Sequence, residues 1–496
     1  MHRQNHTPIR LAIPLTLGMV GAFFCKGEIP TTTMFLLSCI ALSITILLNI
    51  PKKNSPFGIA ATILFLLIGT TLYTAKHHQT ANGLPAHTTH CHGILTHPPI
   101  EQSRSWALNL KQDNGTHILL YVGKNQENRK RDSIIYSSLQ PNDTIQAYIT
   151  HLEPTANTDG EFANYKKHLF HQGICATAYV PAQKWLVRKS RYTTATPKSV
   201  QEKIHKIYER HGIQGETGSI IEAITIGRKD ELSAEQRDMY AHAGISHILA
   251  LSGFHISIII LIIQALSLKH LLPMRWQWLS NLVIVATLWC YTLLTGMSPS
   301  IVRATIMYTI LLLSQSFSRS ILSLNSCAIA LSIMLCFNPF YLHDIGFRLS
   351  FTSVAAICLL SKRFIPFSTR QNKIIAFIRS TISITLICTL YTAPLVAYHF
   401  GSIPTLSIIS NLVITPLVYI LMFTCIFWWI FLWCPPVNTL LTNVLNRTAE
   451  VMNSIAESIA STSFSTIDWH PNAFITILCY IILFILTYYI TKTKKT

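Results

Sequence analysis

Apolar and polar positions divide the chain into regimes of different period. Runs of 17 or 18 mostly apolar residues open it, at 9–25, 33–50 and 57–73. Each is near the roughly 17–20 residues a helix needs to cross hydrocarbon. From 76 to 185 the pattern shortens. "WALNLKQ", "HILLYVG", "DTIQAYITHLE" and "ICATAYVP" alternate or cluster β-branched and apolar residues, and "QDNGT", "NQENRKRD" and "TANTDGE" between them are turn chemistry. That predicts several short strands in a small β-barrel or sandwich. Near 200 the period lengthens: Val200, Ile204, Ile207 and Tyr208 recur at helical spacing among charges, which predicts a basic amphipathic helix suited to a membrane surface. Beyond 219 apolar runs return at 244–268, 276–294, 301–317, 321–337, 347–360, 381–399, within 404–433 and at 473–490. The thirty residues of 404–433 contain Asn411 and Pro416, and fit either one tilted helix or a broken pair.

Composition adds class and orientation. Half of the 496 residues are apolar and 12% are charged, against about 25% in soluble domains. This reads as a polytopic membrane protein with a minor aqueous part. Lys52 and Lys53 between the second and third runs, and five Lys/Arg without an acid in 362–380, mark cytoplasmic loops. The β-rich segment then lies outside. The first run has no small-x-small cleavage site after it and reads as a retained anchor. The net charge is +18, which anionic lipid or another polyanion would feel. Segment 186–211 holds seven Lys/Arg against two Glu, whereas 90–184 is nearly neutral, with nine against eight. Of twelve cysteines, Cys91 and Cys175 bracket the polar stretch. They can pair if it faces an oxidising compartment, or remain two free thiols.

Enzyme motifs are missing: no Walker loop, GxSxG, HExxH or CxxC pair occurs. "HTTHCHGILTH" places His90 and His92 on one strand face, but with no matching second cluster it reads as polar strand, not a metal site. No metal and no cofactor is expected. The run beginning "ISHILALSGFHISIII" carries more information. His247, Ser252, Gly253 and His255 are costly in hydrocarbon unless they face a bundle interior.

This stretch, "AITIGRKDELSAEQRDMYAHAGISHILALSGFHIS", resembles the central signature of the competence DNA-uptake channel family (ComEC type), through Gly244, Ser246, His247, Leu249, Ala250, Ser252, Gly253, His255 and Ile256. Three later stretches are similar to that family in order: "TGMSPSIVRA", with Gly296, Ser298, Pro299 and Arg303; "NPFYLHDIGFRLSF", with Asp344 and Gly346 and with Arg348 where the family usually has Gln; and the segment containing Asn411 and Pro416. Tyr165, Leu169, Gly173 and Ile174 resemble the closing element of the family's OB-type barrel. The resemblance implies an α-helical polytopic membrane protein with an inserted extracytoplasmic OB-type β-barrel domain. The divisions are residues 1–75, three transmembrane helices; 76–185, the β domain; 186–240, the basic linker and membrane-surface segment; and 241–496, the channel. It has no H-x-H-x-D-H cluster, and so looks like the short form without a metallo-β-lactamase-like domain.

What the resemblance implies is a non-enzymatic channel in the bacterial inner membrane that passes single-stranded DNA into the cytoplasm. Its partners would be single-stranded DNA, membrane lipid, a separate cytoplasmic ATPase or helicase, DNA-receptor proteins and, compatibly, further copies of itself. The expected path residues are His247, Ser252, Gly253, His255, Arg303, Asp344, Arg348 and Asn411. Gly253 also marks a potential helix break. The plainer reading of the histidines is interhelical hydrogen bonding, and that of Asp344 with Arg348 is an ion pair. The expected DNA-binding surface is Lys124, Arg129, Lys130, Arg131, Arg188, Lys189 and Arg191, with Trp106, Tyr121, Tyr136 and Tyr148 as either stacking groups or core. Two rival functions use the same pattern: a transporter of another anionic solute, and a non-transporting scaffold whose barrel binds a partner.

Overall fold

A computed structural model describes residues 7–25, 30–49, 54–84, 90–102, 104–124, 136, 139, 141–156, 163–182, 184–189, 197–266, 277–316, 323–364, 373–462 and 464–492. They form two compact units: residues 1–196 with 332–344, and residues 197–331 with 345–496.

The first unit opens with three apolar helices, α1 (Thr7–Phe24), α2 (Thr31–Asn49) and α3 (Asn54–Ala81). α1 and α3 cross with backbones in contact at Gly18 and Gly69. A Cβ on Gly18 would overlap the Leu66 carbonyl oxygen, and one on Gly69 the Leu15 carbonyl oxygen. Small residues permit this approach where no hydrophobic effect drives helices together. Ser38 and Thr71 hydroxyls, 3.0 Å apart, tie α2 to α3.

The strands follow: β1 (His90–Leu95), β2 (Ile100–Glu101), β3 (Ser105–Lys111), β4 (His117–Gly123), β5 (Thr144–Tyr148), β6 (His151–Pro154), then α4 (Ala163–His171), β7 (Ile174–Val180) and β8 (Trp185–Arg188). They form one sheet in the order β6-β7-β4-β3-β1-β5-β8, with β2 alongside β3. The β4–β7 pair is parallel and the others are antiparallel. The alternation read from the sequence is present: β1 is exposed and buried in strict turn, with His90 and His92 outward. Leu108, Leu110, Ile118, Leu120, Ile145 and Ala176 fill the inner face.

The expected OB-type barrel does not form. The sheet is open and uncurled, and among the described residues no ladder joins its outer strands β6 and β8. Closure needs edge strands long enough to pair at a consistent stagger. Both edges here are four residues long, and β6 ends on Pro154, which has no N–H to offer a ladder. Alternating hydrophobicity specifies strands with one buried face, and an open sheet satisfies it as fully as a barrel.

Of the four aromatics, Trp106 and Tyr136 belong to the core and stack with Trp185 in a row, at 4.8 and 5.1 Å between ring centroids. Tyr148 is on the outside, its ring against His90 and under the Lys184 ammonium. An aromatic cluster of Phe23, Tyr73, Phe170, His171, Phe340 and His343 joins the helices to the β segment. His171 and His343 stack at 3.7 Å, and the Tyr73 hydroxyl lies 3.0 Å from His343 Nε2.

Cys91 and Cys175 are buried, unbridged thiols. Cys175 Sγ donates to the carbonyls of Gly83 and His117, each at 3.1 Å. Burial pushes the Cys91 thiol up to about 11 and raises that of Cys175 as well. Only the thiolate reacts. At pH 8 neither is therefore expected to take a maleimide in the folded protein, and both are expected to do so on unfolding. A bridged pair would stay unlabelled on unfolding until reduced, and rapid labelling of the folded protein would contradict the packing.

The second unit begins with α5 (Pro197–Arg210), α6 (Gly215–Thr225) and α7 (Ala234–His242). The amphipathic pattern of α5 is real, but its buried stripe is Gln201, His205 and Tyr208. Tyr208 sits against Trp428 and Trp429, with its hydroxyl accepting from Trp429 Nε1 at 3.2 Å. α7 starts with a capping box between Ser233 and Gln236. Then come α8 (Ser246–Leu249), α9 (Gly253–Leu266), α10 (Gln277–Leu294), α11 (Pro299–Ser316), α12 (Ser323–Phe337), whose residues from 332 onward belong to the first unit with the 3₁₀ turn (Pro339–His343) after it, α13 (Ile345–Phe364) and α14 (Lys373–Phe400). β9 (Ser402–Pro404), α15 (Ser407–Ile430), α16 (Pro435–Ala460), β10 (Thr466–Asp468) and α17 (Ala473–Lys492) complete it, with β9 and β10 paired antiparallel. The 404–433 ambiguity resolves as one helix, α15, which carries Pro416 without breaking.

Among the described residues, five helices are long and apolar enough to cross a membrane: Thr7–Phe24, Gly58–Ala81, Ile374–Phe400, Ser407–Ile430 and Ala473–Ile490. The protein is a multi-pass membrane protein, predominantly α-helical.

Candidate functional site

The second unit departs from continuous helix at 243–253. Gly244 follows α7 with φ +74°, a conformation Gly adopts at little cost. A Cβ there would meet those of Ser407 and Pro404 at 2.8 and 2.9 Å. One helical turn, α8, follows. Ala250 then turns extended, with ψ 108°, and α9 starts at Gly253. The apolar run quoted above is thus two helices with irregular backbone between them. Such backbone is tolerated at membrane depth only inside protein or along a wet cavity.

The polar groups of the break are local and specific. The Ser252 backbone N–H donates to His255 Nδ1 at 3.1 Å, and Ser252 Oγ lies 3.2 Å from the same nitrogen. An Nδ1 that accepts leaves the proton of the neutral ring on Nε2. That nitrogen is buried with no partner among the described residues, in a side chain 0% exposed. Ser257 Oγ donates to the Gly253 carbonyl at 2.9 Å and meets the Tyr308 hydroxyl of α11 at 2.9 Å.

Arg303, one turn into α11, comes from the facing helix. Its Nη2 would lie 3.6 Å from a Cβ placed on Gly253. The side chain is 6% exposed, and Nε and Nη1 have no hydrogen-bond partner among the described residues. Its guanidinium stands over the Phe351 ring at 5.6 Å, and Cys327, Cys358 and Cys388 are its electrostatic neighbours. No carboxylate pairs with it among the described residues. A guanidinium does not give up its charge in a protein. A buried charge without a partner costs several kcal/mol.

Thus Ser252, Gly253, His255 and Arg303 come together at the α9–α11 contact. His247 is exposed on α8 and reaches Asn411 of α15. Asn411 is buried and also donates to its own helix, at the Ser407 carbonyl, 2.8 Å away. Arg348 Nη1 donates to His399 Nε2 at 3.4 Å, joining α13 to α14. Asp344 is exposed at the end of the 3₁₀ turn. Of the expected DNA surface, Lys124 is ion-paired with Glu101 at 2.7 Å, Arg188 and Lys189 are exposed at the end of β8, and Arg129, Lys130, Arg131 and Arg191 lie outside the described residues.

Sequence reading passed over a charged group on α5, α6 and the turn after α6: His205, Glu222, Arg228 and Glu231. One signal was available. Glu222 is a lone acid in the otherwise apolar "SIIEAITIG", and a buried acid demands partners.

The model of the competence protein family matches residues 224–493, more than half of the chain, with this site inside the match. The chain belongs to that family. Among curated relatives, ComE operon protein 3 of Bacillus subtilis (strain 168) is 26% identical over 197 residues, which is 40% of this chain and 24% of that protein. An uncharacterized protein of Aquifex aeolicus (strain VF5) is 30% identical over 191 residues, 38% of this chain and 42% of that one. The match covers less than half the length of either relative. No solved structure matches this competence-family chain. Family membership and the multi-span helical build accord with a channel or transporter in general.

Proposed function

We propose that this competence-family chain is an inner-membrane channel that passes single-stranded DNA into the cytoplasm. The observation that carries the reading is Arg303: a buried cation without an acidic partner among the described residues, behind a break in the facing helix. Single-stranded DNA brings one negative charge per nucleotide, and each phosphate in turn can satisfy that guanidinium and the Nε2 proton of His255. His247, Ser252, Asn411 and Arg348 are further polar groups for the path. Arg188 and Lys189 supply exposed positive charge on the β segment. No nucleotide-binding loop is present in the sequence, so a separate ATPase or helicase would pull the strand, and DNA-receptor proteins would deliver it.

The test is uptake of labelled DNA in a deletion strain complemented with the parent or with His255→Ala. Loss on deletion, recovery with the parent and reduced recovery with the variant are expected. Unchanged uptake on deletion would end the DNA reading, and transport of another anion by the same vesicle-reconstituted protein would favour the rival transporter.

A further inference from the structure

A second charged constellation takes no part in the site above. Glu222 is the buried acid of helix α6 and is 2% exposed. Its Oε2 accepts from Arg228 Nη1 at 2.9 Å, and its Oε1 lies 2.7 Å from His205 Nδ1 on α5. The other side of the same imidazole faces two more carboxylates. His205 Nε2 is 3.2 Å from Glu231 Oε1 and 3.5 Å from Glu209 Oε1. Arg228 Nη2 reaches Glu231 at 3.1 Å and Glu202 at 3.4 Å.

The charges do not balance. Four carboxylates meet one guanidinium, in a chain whose net charge is +18. The short bond to a buried carboxylate fixes the ring through Nδ1 and leaves Nε2 facing the other carboxylate oxygens. Lone pairs converging on one point repel unless a cation sits among them. A second ring proton supplies one charge, while a divalent ion supplies two and can bond several donors at once. Donors bonded at about 2.0–2.1 Å to one tetrahedral zinc lie roughly 3.3–3.4 Å apart. The 3.2 and 3.5 Å spacings at Nε2 are already close to that edge length. Among the described residues, His205, Glu222 and Glu231 are the group whose donor atoms all lie within 4.8 Å of one another.

We propose that His205 Nε2 and Glu231 bind a divalent transition-metal ion such as Zn²⁺ or Mn²⁺, beside Glu209, whose Oε1 lies 3.5 Å from the same nitrogen. Glu222 is the positioning residue behind the ring, and Arg228 in turn fixes Glu222. A carboxylate behind a metal-bound histidine sets its tautomer and raises its basicity. The ion would clamp α5 to the 227–232 turn. The inference is independent of what the channel carries.

The test uses the full-length protein in detergent, stripped with chelator and dialysed against Zn²⁺, Mn²⁺ or Co²⁺. About one ion per chain is expected, with the visible absorption of imidazole- and carboxylate-bound Co²⁺. His205→Gln or Glu231→Gln should abolish stoichiometric retention, and Glu222→Gln should weaken affinity about 10–100-fold. Failure of the parent to retain any ion overturns the proposal whatever the variants do. So does an ion whose retention and Co²⁺ spectrum are unchanged by His205→Gln. Thermal melting of each variant separates a lost ligand from a lost fold.

Discussion

Replacing Arg303 by methionine is expected to abolish DNA uptake and at the same time leave a protein that melts at higher temperature than the parent. The two halves of this result rest on one fact, that the guanidinium is buried with Nε and Nη1 unpartnered among the described residues. Exchanging buried ionic groups for apolar ones of similar volume is neutral or stabilising by about 1–4 kcal/mol. Phe351, Cys327, Cys358 and Cys388 offer methionine a soft apolar pocket. Transport moves the opposite way, because a phosphate crossing that point would lose its counter-charge. A loss of about 100-fold in uptake corresponds to roughly 2.7 kcal/mol on the barrier. Arg303→Lys should be intermediate, since a point charge replaces a planar fork. Labelled-DNA uptake and thermal melting on the same preparations decide it. A variant that loses both stability and uptake would make Arg303 a structural residue, and one that keeps uptake would remove it from the path.

The largest effect on stability is expected from Gly18→Leu and Gly69→Leu. A Cβ at either position falls on the backbone carbonyl of the other helix, at Leu66 and Leu15 respectively. Backbone cannot swing aside as a side chain can, so α1 and α3 must separate along their length. Overpacking commonly costs about 1–3 kcal/mol where side chains can adjust, and this case should sit at or beyond the top of that range. The double variant should cost little more than either single one, because the first substitution already opens the contact. Gly21→Leu on the same helix has nothing within 4 Å of its Cβ and serves as the control. Melting temperatures of the four proteins check this. Equal melting of Gly18→Leu and Gly21→Leu would show that the crossing is not as described.

Particular residues show how far the sequence could be read. The helices around 9–25, 381–399 and 473–490 were plain, because a lipid-exposed helix needs only unbroken apolar length. The strands were plain for a similar reason: their alternation reports one buried face, as β1 displays. The barrel was misread because closure depends on how two short edge strands meet, and neither edge carries a periodic signal for its partner. α16 was not anticipated at all. Its apolar positions, among them Leu445, Ala449, Met452 and Ala456, form a narrow stripe among Asn, Thr and Glu, too sparse to stand out beside true spans.

The candidate site was half legible. Gly253, His255 and Arg303 were visible as polar groups in apolar runs, since hydrocarbon makes every such group an anomaly. Their grouping was not, because the i, i+3 relation of Ser252 and His255 is local whereas Arg303 is fifty residues away. The His205 constellation shows the same limit from the other side. Its members look like ordinary surface charges on an amphipathic helix until α6 brings Glu222 beneath them.

By itself, then, the order of residues determined that this chain enters a membrane many times, carries a β-rich insert and places ionisable groups where lipid would reject them. These follow from local period and transfer cost, which neighbouring residues decide among themselves. Only the tertiary structure decided that the sheet stays open, that α15 is a single helix, that Arg303 faces a broken helix with no acid beside it among the described residues, and that a histidine on α5 is ringed by carboxylates. Each of those depends on which distant surfaces pack together, and packing is settled by shape and pairing across space, for which a linear pattern holds no record.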